Sequence, residues 1–284
     1  MRRPALLSAA LFALSLAASS ATAQDAAPPK AYRVMLVGNS LTYTNNLPAL
    51  LRAVGASQGV RIDTETWAAP GGTLAERMQD GHVTASLQAR PVDVAVMQEQ
   101  GGKLAACMAS AQEQRKAPCA ASLRAYEQVA AAVAKSQGKT LLFATWGPDE
   151  RWQGRLDRSI RMIAKESGGS MFNAAGALAA LREAQPGINV LPDGTHPSIQ
   201  GSLMLALALY RDITGQAPVA KDLRVTAPLL PVNAAVSPDS PMEAQPGLAG
   251  DGKVTVIPAS LLAPLVAALP DPAKQAEALG RRER

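Results

Sequence analysis

Three residues in two short segments could together activate an oxygen nucleophile. Ser40 stands in Gly38-Asn39-Ser40-Leu41, directly after the apolar run Val34-Met35-Leu36-Val37, and Asp193 lies three residues before His196 in Asp193-Gly194-Thr195-His196. A serine hydroxyl is a poor nucleophile until a base takes its proton, and the base needs a carboxylate to orient its ring. The spacing therefore suggests Ser40 as nucleophile, His196 as general base and Asp193 as the orienting acid. Each segment also has a plain structural reading. Asn and Ser bond their own backbone in turns, and Asp193 or Ser198 can cap the helix that follows. His82, the only other histidine, follows Asp80-Gly81 at an expected helix end and reads as a surface or packing residue.

The elements that must position these groups alternate between strand and helix. Apolar or alternating runs predict strands at residues 32–37, 60–67, 92–97 and 140–146, with a short fifth at 170–173. Helical spacing predicts helices at 47–57, 120–136 and 156–167, and at 201–214, where Leu203, Leu205, Leu207, Leu209 and Tyr210 leave little polar face. This order implies a parallel sheet with helices on both faces, which binds ligands beyond the carboxyl ends of its strands. Ser40 follows the first strand, Pro70-Gly71-Gly72 the second, and residues 98–102 the third, so the candidate groups converge on one edge.

With these residues in place, the chain resembles the SGNH (GDSL-type) hydrolase superfamily over residues 32–215. Gly38-Asn39-Ser40-Leu41 matches that family's first block, Gly-Asp-Ser-Leu, and Asp193 with His196 matches its last, Asp-x-x-His. The resemblance implies a three-layer α/β/α flavodoxin-like sandwich with a central parallel sheet of about five strands. It also implies two-step cleavage of carboxylic or O-acyl esters through an acyl-serine. The oxyanion would be met by the backbone N–H groups of Ser40 and Gly72 and by the Gln100 side chain, with Gly71 and Gln98 as alternatives. The chain departs from the family at two places. Asn39 replaces an aspartate, and Met97-Gln98-Glu99-Gln100-Gly101-Gly102 stands where the third block has Gly-x-Asn-Asp. The altered third block keeps open a non-catalytic glycan- or ligand-binding module on the same fold, and an acyltransferase would use the same three residues. Trp67 and Trp146, at expected strand ends, could stack on a sugar or simply pack.

Other frameworks are not written into the chain. Ser40 lacks a Gly-x-Ser-x-Gly elbow, and there is no His-Glu-x-x-His, P-loop or dinucleotide fingerprint. No cofactor and no metal are expected. Arg2 and Arg3, the apolar stretch from Ala5 and Ala21-Thr22-Ala23 read as a signal peptide over residues 1–23, giving an exported protein, periplasmic or secreted. The formal charge of +5 owes two units to that leader. No basic cluster with interleaved aromatics suggests nucleic acid, and no second long apolar run suggests stable membrane insertion. The expected partner is a small-molecule or glycan ester. Cys107 and Cys119 are the only cysteines; in an exported chain they read as a disulfide, with two free thiols as the alternative. The catalytic domain is placed at residues 24–217. Residues 218–284 form a Pro/Ala-rich extension, read as a surface-wrapping segment or a partly disordered tail, with a lone strand at 254–257 and a short helix at 261–269.

Overall fold

The computed structural model describes residues 30–272, so the expected leader lies outside the described residues. Five strands, β1 (Ala31–Gly38), β2 (Arg61–Ala68), β3 (Val94–Met97), β4 (Lys139–Phe143) and β5 (Ser170–Phe172), form one parallel sheet in the order β2-β1-β3-β4-β5. Around it run α1 (Ser40–Tyr43), α2 (Leu47–Ser57), α3 (Leu74–Gln79), α4 (His82–Ala89), α5 (Lys103–Cys107) and α6 (Ala111–Arg115). They are followed by α7 (Ala117–Lys135), α8 (Glu150–Glu166), α9 (Ala174–Ala184), α10 (Ile199–Thr214) and α11 (Ala259–Ala267).

Strand side chains point alternately to opposite faces, and the sequence uses both. Val34, Leu36, Val94, Val96, Leu141 and Phe143 pack against α2, α9, α10 and α11. Met35, Val37, Ala95, Met97 and Leu142 pack against α3, α4, α5, α7 and α8. Burial on both faces explains why β1 and β3 read as unbroken apolar runs. The result is the three-layer, flavodoxin-like sandwich. Its order reverses between β1 and β3, and that switch point opens a crevice beyond the strand ends. Ser40 lies there.

The observed elements differ from the sequence expectation where a local cap or a distant partner decides. β4 stops at Phe143, because Trp146 is drawn away to the carbonyl of Thr195 by a 2.8 Å hydrogen bond from its indole. α8 starts six residues before position 156, because the Asp149 carboxylate accepts the N–H of Trp152 at 2.8 Å and caps the new first turn. α9, absent from the sequence expectation, is nucleated by Asn173, which accepts the N–H of Gly176.

Beyond residue 217 the chain folds back onto the domain. The stretch at 254–257 is not a lone strand. β7 (Thr255–Ile257) pairs antiparallel with β6 (Leu223–Val225), too short a run to be read in advance. Leu230, Val236 and Met242 bury themselves on Tyr43 and Ala68. Glu243 reaches the outer edge of β2. It accepts the N–H of Thr66 at 2.8 Å and the hydroxyls of Thr64 and Thr66, each at 2.7 Å, and pairs with Arg52. An edge strand exposes unpaired backbone groups, and here a carboxylate from the C-terminal segment occupies that edge.

Candidate active site

Ser40 opens α1 immediately after β1. Asn39 sits just before it in extended backbone, and its Oδ1 accepts the N–H of Leu41 at 3.0 Å. Gly38 is obligatory at this exit, since a Cβ there would overlap the Thr42 hydroxyl and the Gln98 amide. After α1 the chain reverses through Asn45 and Asn46, both left-handed at φ 56°. Asparagine tolerates that region better than other residues with a Cβ. The reversal lets the Asn45 amide donate to the carbonyl of Pro197 at 2.8 Å and to Ser202 Oγ at 3.0 Å. The Ser40 turn is thereby bolted to the segment that carries His196.

That segment is a tight turn around Gly194, at φ +79°. One oxygen of Asp193 accepts the N–H groups of Thr195 (2.9 Å) and His196 (2.6 Å); the other faces His196 Nδ1 at 2.7 Å. A carboxylate can only accept, so in the neutral ring Nδ1 carries the proton and Nε2 keeps its lone pair. Nε2 lies 2.9 Å from Ser40 Oγ, in place to accept the hydroxyl proton. The Asp193 carboxyl is held down to about 2, chiefly by the backbone N–H of His196, then by that of Thr195 and by the imidazole. Ser198, not Asp193, caps α10, through the N–H of Gly201.

The second and third loops complete the crevice. Gly71 takes φ +65°, and the carbonyl of Gly72 accepts the Asn39 amide at 2.9 Å. Gln98 is fully buried. Its Oε1 accepts the N–H of Asn39 and the hydroxyl of Thr42, both at 2.9 Å, and its amide nitrogen donates to the carbonyl of Glu99. Gln98 is thus a brace between loops, with its donor turned into the protein. Gln100 stands at the mouth, where its amide donates to the carbonyl of Gly71 at 3.1 Å. The N–H of Ser40, in the first turn of α1, has no acceptor within its own helix. The N–H of Gly72 makes only a long turn contact, 3.3 Å to the carbonyl of Ala69.

Several residues that shape this site carry no catalytic signature. Glu99, 2% exposed, uses one carboxylate oxygen to accept the N–H groups of Leu74 (3.2 Å) and Gln100 (2.7 Å), tying the second loop to the third. Asn45, Thr42 and Trp146 act in the same way on neighbouring loops. The one available signal was polarity in the wrong place: Gln98-Glu99-Gln100 directly after a buried strand, and an Asn-Asn pair before Leu47. Trp67 is packed inside and bonded to Glu65, with the exposed His82 ring stacked 5.8 Å from its own. Among the described residues no three His, Cys, Asp or Glu side chains gather as a metal site.

No family model matches the chain, and no curated relative does. Solved structures do resemble it. A DUF4886 family protein from Bacteroides uniformis superposes with a TM-score of 0.53 at 13% identity, over 66% of this chain and 85% of that one. Weaker likenesses include a lipase/acylhydrolase from Enterococcus faecalis (TM-score 0.46, 15% identity, 65% and 96% covered) and Axe2, an acetylxylan esterase from Geobacillus stearothermophilus, in a catalytic variant (0.42, 17%, 64% and 94%). At these identities the likeness is one of fold: a parallel five-stranded sheet between two layers of helices.

Proposed function

We propose that this protein is a serine ester hydrolase of the SGNH type, acting on carboxylic or O-acyl esters. The observation that supports the reading best is the continuous chain from Asp193 Oδ2 to His196 Nδ1 (2.7 Å) and from His196 Nε2 to Ser40 Oγ (2.9 Å), assembled from segments 156 residues apart. In this reading His196 Nε2 takes the Ser40 proton as Oγ bonds to the acyl carbon. Asp193 holds the ring and offsets the charge on the imidazolium. The oxyanion that forms is met by the N–H groups of Ser40 and Gly72, with the Gln100 amide able to swing from Gly71 as third donor. Collapse expels the alcohol, which leaves with the proton from Nε2. Water then attacks the acyl-serine, again deprotonated by His196. The leader read from the sequence and the Cys107–Cys119 disulfide fit a role outside the reducing cytosol.

The test is turnover of p-nitrophenyl acetate by the purified chain beside Ser40→Ala, with butyrate and octanoate esters for comparison. Loss of a triad nucleophile costs on the order of 10⁴–10⁶ in kcat, so the variant should fall to background. Equal rates in both proteins would remove the hydrolase reading and favour a binding module on this fold.

A further inference from the structure

α8 carries a basic stripe that the ester chemistry does not use. Arg151, Arg155, Arg158, Met162 and Lys165 are all exposed. At 100° per residue they fall within about 80° of one another around the helix axis, and they extend for about 21 Å along it. None of the four cations is ion-paired among the described residues. The helix's exposed acids, Glu150 and Glu166, stand at its two ends, and its third, Asp157, is buried. Unpaired like charges at one-turn spacing repel each other, which an anionic partner would reverse.

A groove of about 530 Å³ runs beside the middle of this stripe, between α8 and the α5 turn, walled by Arg155, Arg158, Ser159, Met162, Ala105 and Met108, with no carboxylate in its lining. Its far wall is fixed by the Cys107–Cys119 disulfide, which fastens the end of α5 to α7. The helix that carries the stripe is also joined to loops beside the candidate active site. Gln153 accepts the N–H of Gly147 at 2.8 Å and donates to the carbonyl of Thr145, while Trp152 fills the space left by Gly102 and Gly147. The first turn of α8 is therefore locked to the loops after β3 and β4, which wall the crevice.

We infer that the exposed face of α8 is a binding track for an acidic polysaccharide, whose carboxylates along one chain meet Arg151, Arg155, Arg158 and Lys165 and lead the polymer to the crevice. A linear polyanion fits a straight row of cations longer than any single small ligand. A membrane surface fits less well, because the apolar side of α8 (Leu156, Ile160, Ile163, Ala164) is already buried against the sheet and Met162 is the one exposed apolar side chain on the stripe. Binding does not depend on the hydrolase reading; only the link to turnover rests on it.

The test uses the full chain carrying Ser40→Ala and measures affinity for polygalacturonate. Neutral xylan, phosphatidylglycerol vesicles and duplex DNA serve as comparisons. Arg155→Glu/Arg158→Glu should weaken polygalacturonate binding about tenfold, and Arg151→Glu/Lys165→Glu by a similar factor, since both pairs are exposed charges on one track. Rising salt should weaken binding in the parent and have little effect in the double variants. Unchanged thermal unfolding of these variants would show that the loss is not a folding defect. Polygalacturonate affinity that ignores both pairs, equal affinity for neutral xylan, or binding to vesicles or DNA without polygalacturonate would overturn the proposal. In the Ser40-containing protein, Arg155→Glu/Arg158→Glu should leave p-nitrophenyl acetate turnover unchanged and raise KM for acetylated polygalacturonate. A protein that binds the polymer but turns over neither ester would retire the hydrolase reading and leave the track standing.

Discussion

Replacing Gln98 by methionine isolates what holds the Ser40 turn. The two side chains are close in volume, so packing is kept while the amide is lost. The N–H of Asn39 and the hydroxyl of Thr42 then have no acceptor at a site that is fully buried. An orphaned buried donor costs about 1–3 kcal/mol. Partial relaxation of the Thr42 hydroxyl brings the expected loss of stability to about 3 kcal/mol, or roughly a 6–12 °C fall in Tm for a domain of this size. The catalytic effect is separable. Asn39 precedes Ser40, and its side chain also holds the carbonyl of Gly72, so a shift there moves Ser40 and the Gly71-Gly72 loop together. A displacement of about 1 Å costs about 10²-fold in rate. Because Gln98 is walled off from the crevice, the loss should appear in kcat with KM little changed. The assay is p-nitrophenyl acetate hydrolysis well below the variant's Tm, normalised by titration of reactive serine with a phosphonofluoridate so that an unfolded fraction is not mistaken for slow chemistry. A Gln98→Met protein that melts within about 1 °C of the parent and keeps its kcat would refute the argument that this amide braces the site.

Two further outcomes follow from other contacts. Because the Asp193 carboxyl is lowered to about 2 by the N–H groups and ring facing it, it stays ionised from neutral pH down to about 4. Asp193→Asn should therefore cut kcat by about 10⁴-fold at any pH in that range. A depressed carboxyl adds stability that is present above its unfolded value of about 3.9 and is lost as pH falls through about 2. With the side chain 45% exposed, that contribution is small, so Tm of Asp193→Asn at pH 7 should stay close to the parent. Cys107→Ala/Cys119→Ala should lower stability by about 3 kcal/mol on the chain-entropy account of a 12-residue loop, read as a denaturant midpoint that moves equally when the parent is reduced; an unchanged midpoint would show that the loop is held by packing alone.

The sheet was legible because its strands are buried on both faces: runs such as Val34-Met35-Leu36-Val37 have few other uses. Ser40, His196 and Asp193 were legible as a candidate set because serine, histidine and aspartate at those spacings have a shared chemistry. What could not be read was held by pairings across long stretches of chain or by single caps. Asp149 and Asn173 each set a helix start that periodicity placed late or not at all. The residue type of Gln98 suits an oxyanion donor, and nothing in the sequence says that Asn39 and Thr42 take its oxygen first.

The C-terminal segment makes the same point more strongly. A proline-rich stretch has no periodicity to read, so its sequence suggested only a surface path or a loose tail. Its contacts nevertheless reach the turn that follows Ser40. The carbonyl of Leu230 accepts the N–H of Asn45, and that of Pro228 accepts the Asn46 amide, at 2.8 Å each. Those two asparagines hold the left-handed reversal after Ser40, a conformation costly for a residue with a Cβ unless its surroundings impose it. On the other side, Glu243 fastens the same segment to Thr64 and Thr66, shortly before the strand end from which the Gly71-Gly72 loop departs. The extension thus grips the first and second loops from outside the sheet, while Asn39 joins them from inside. Prolines suit that task physically: they have no N–H to satisfy, and they leave carbonyls such as that of Pro228 to accept from the turn.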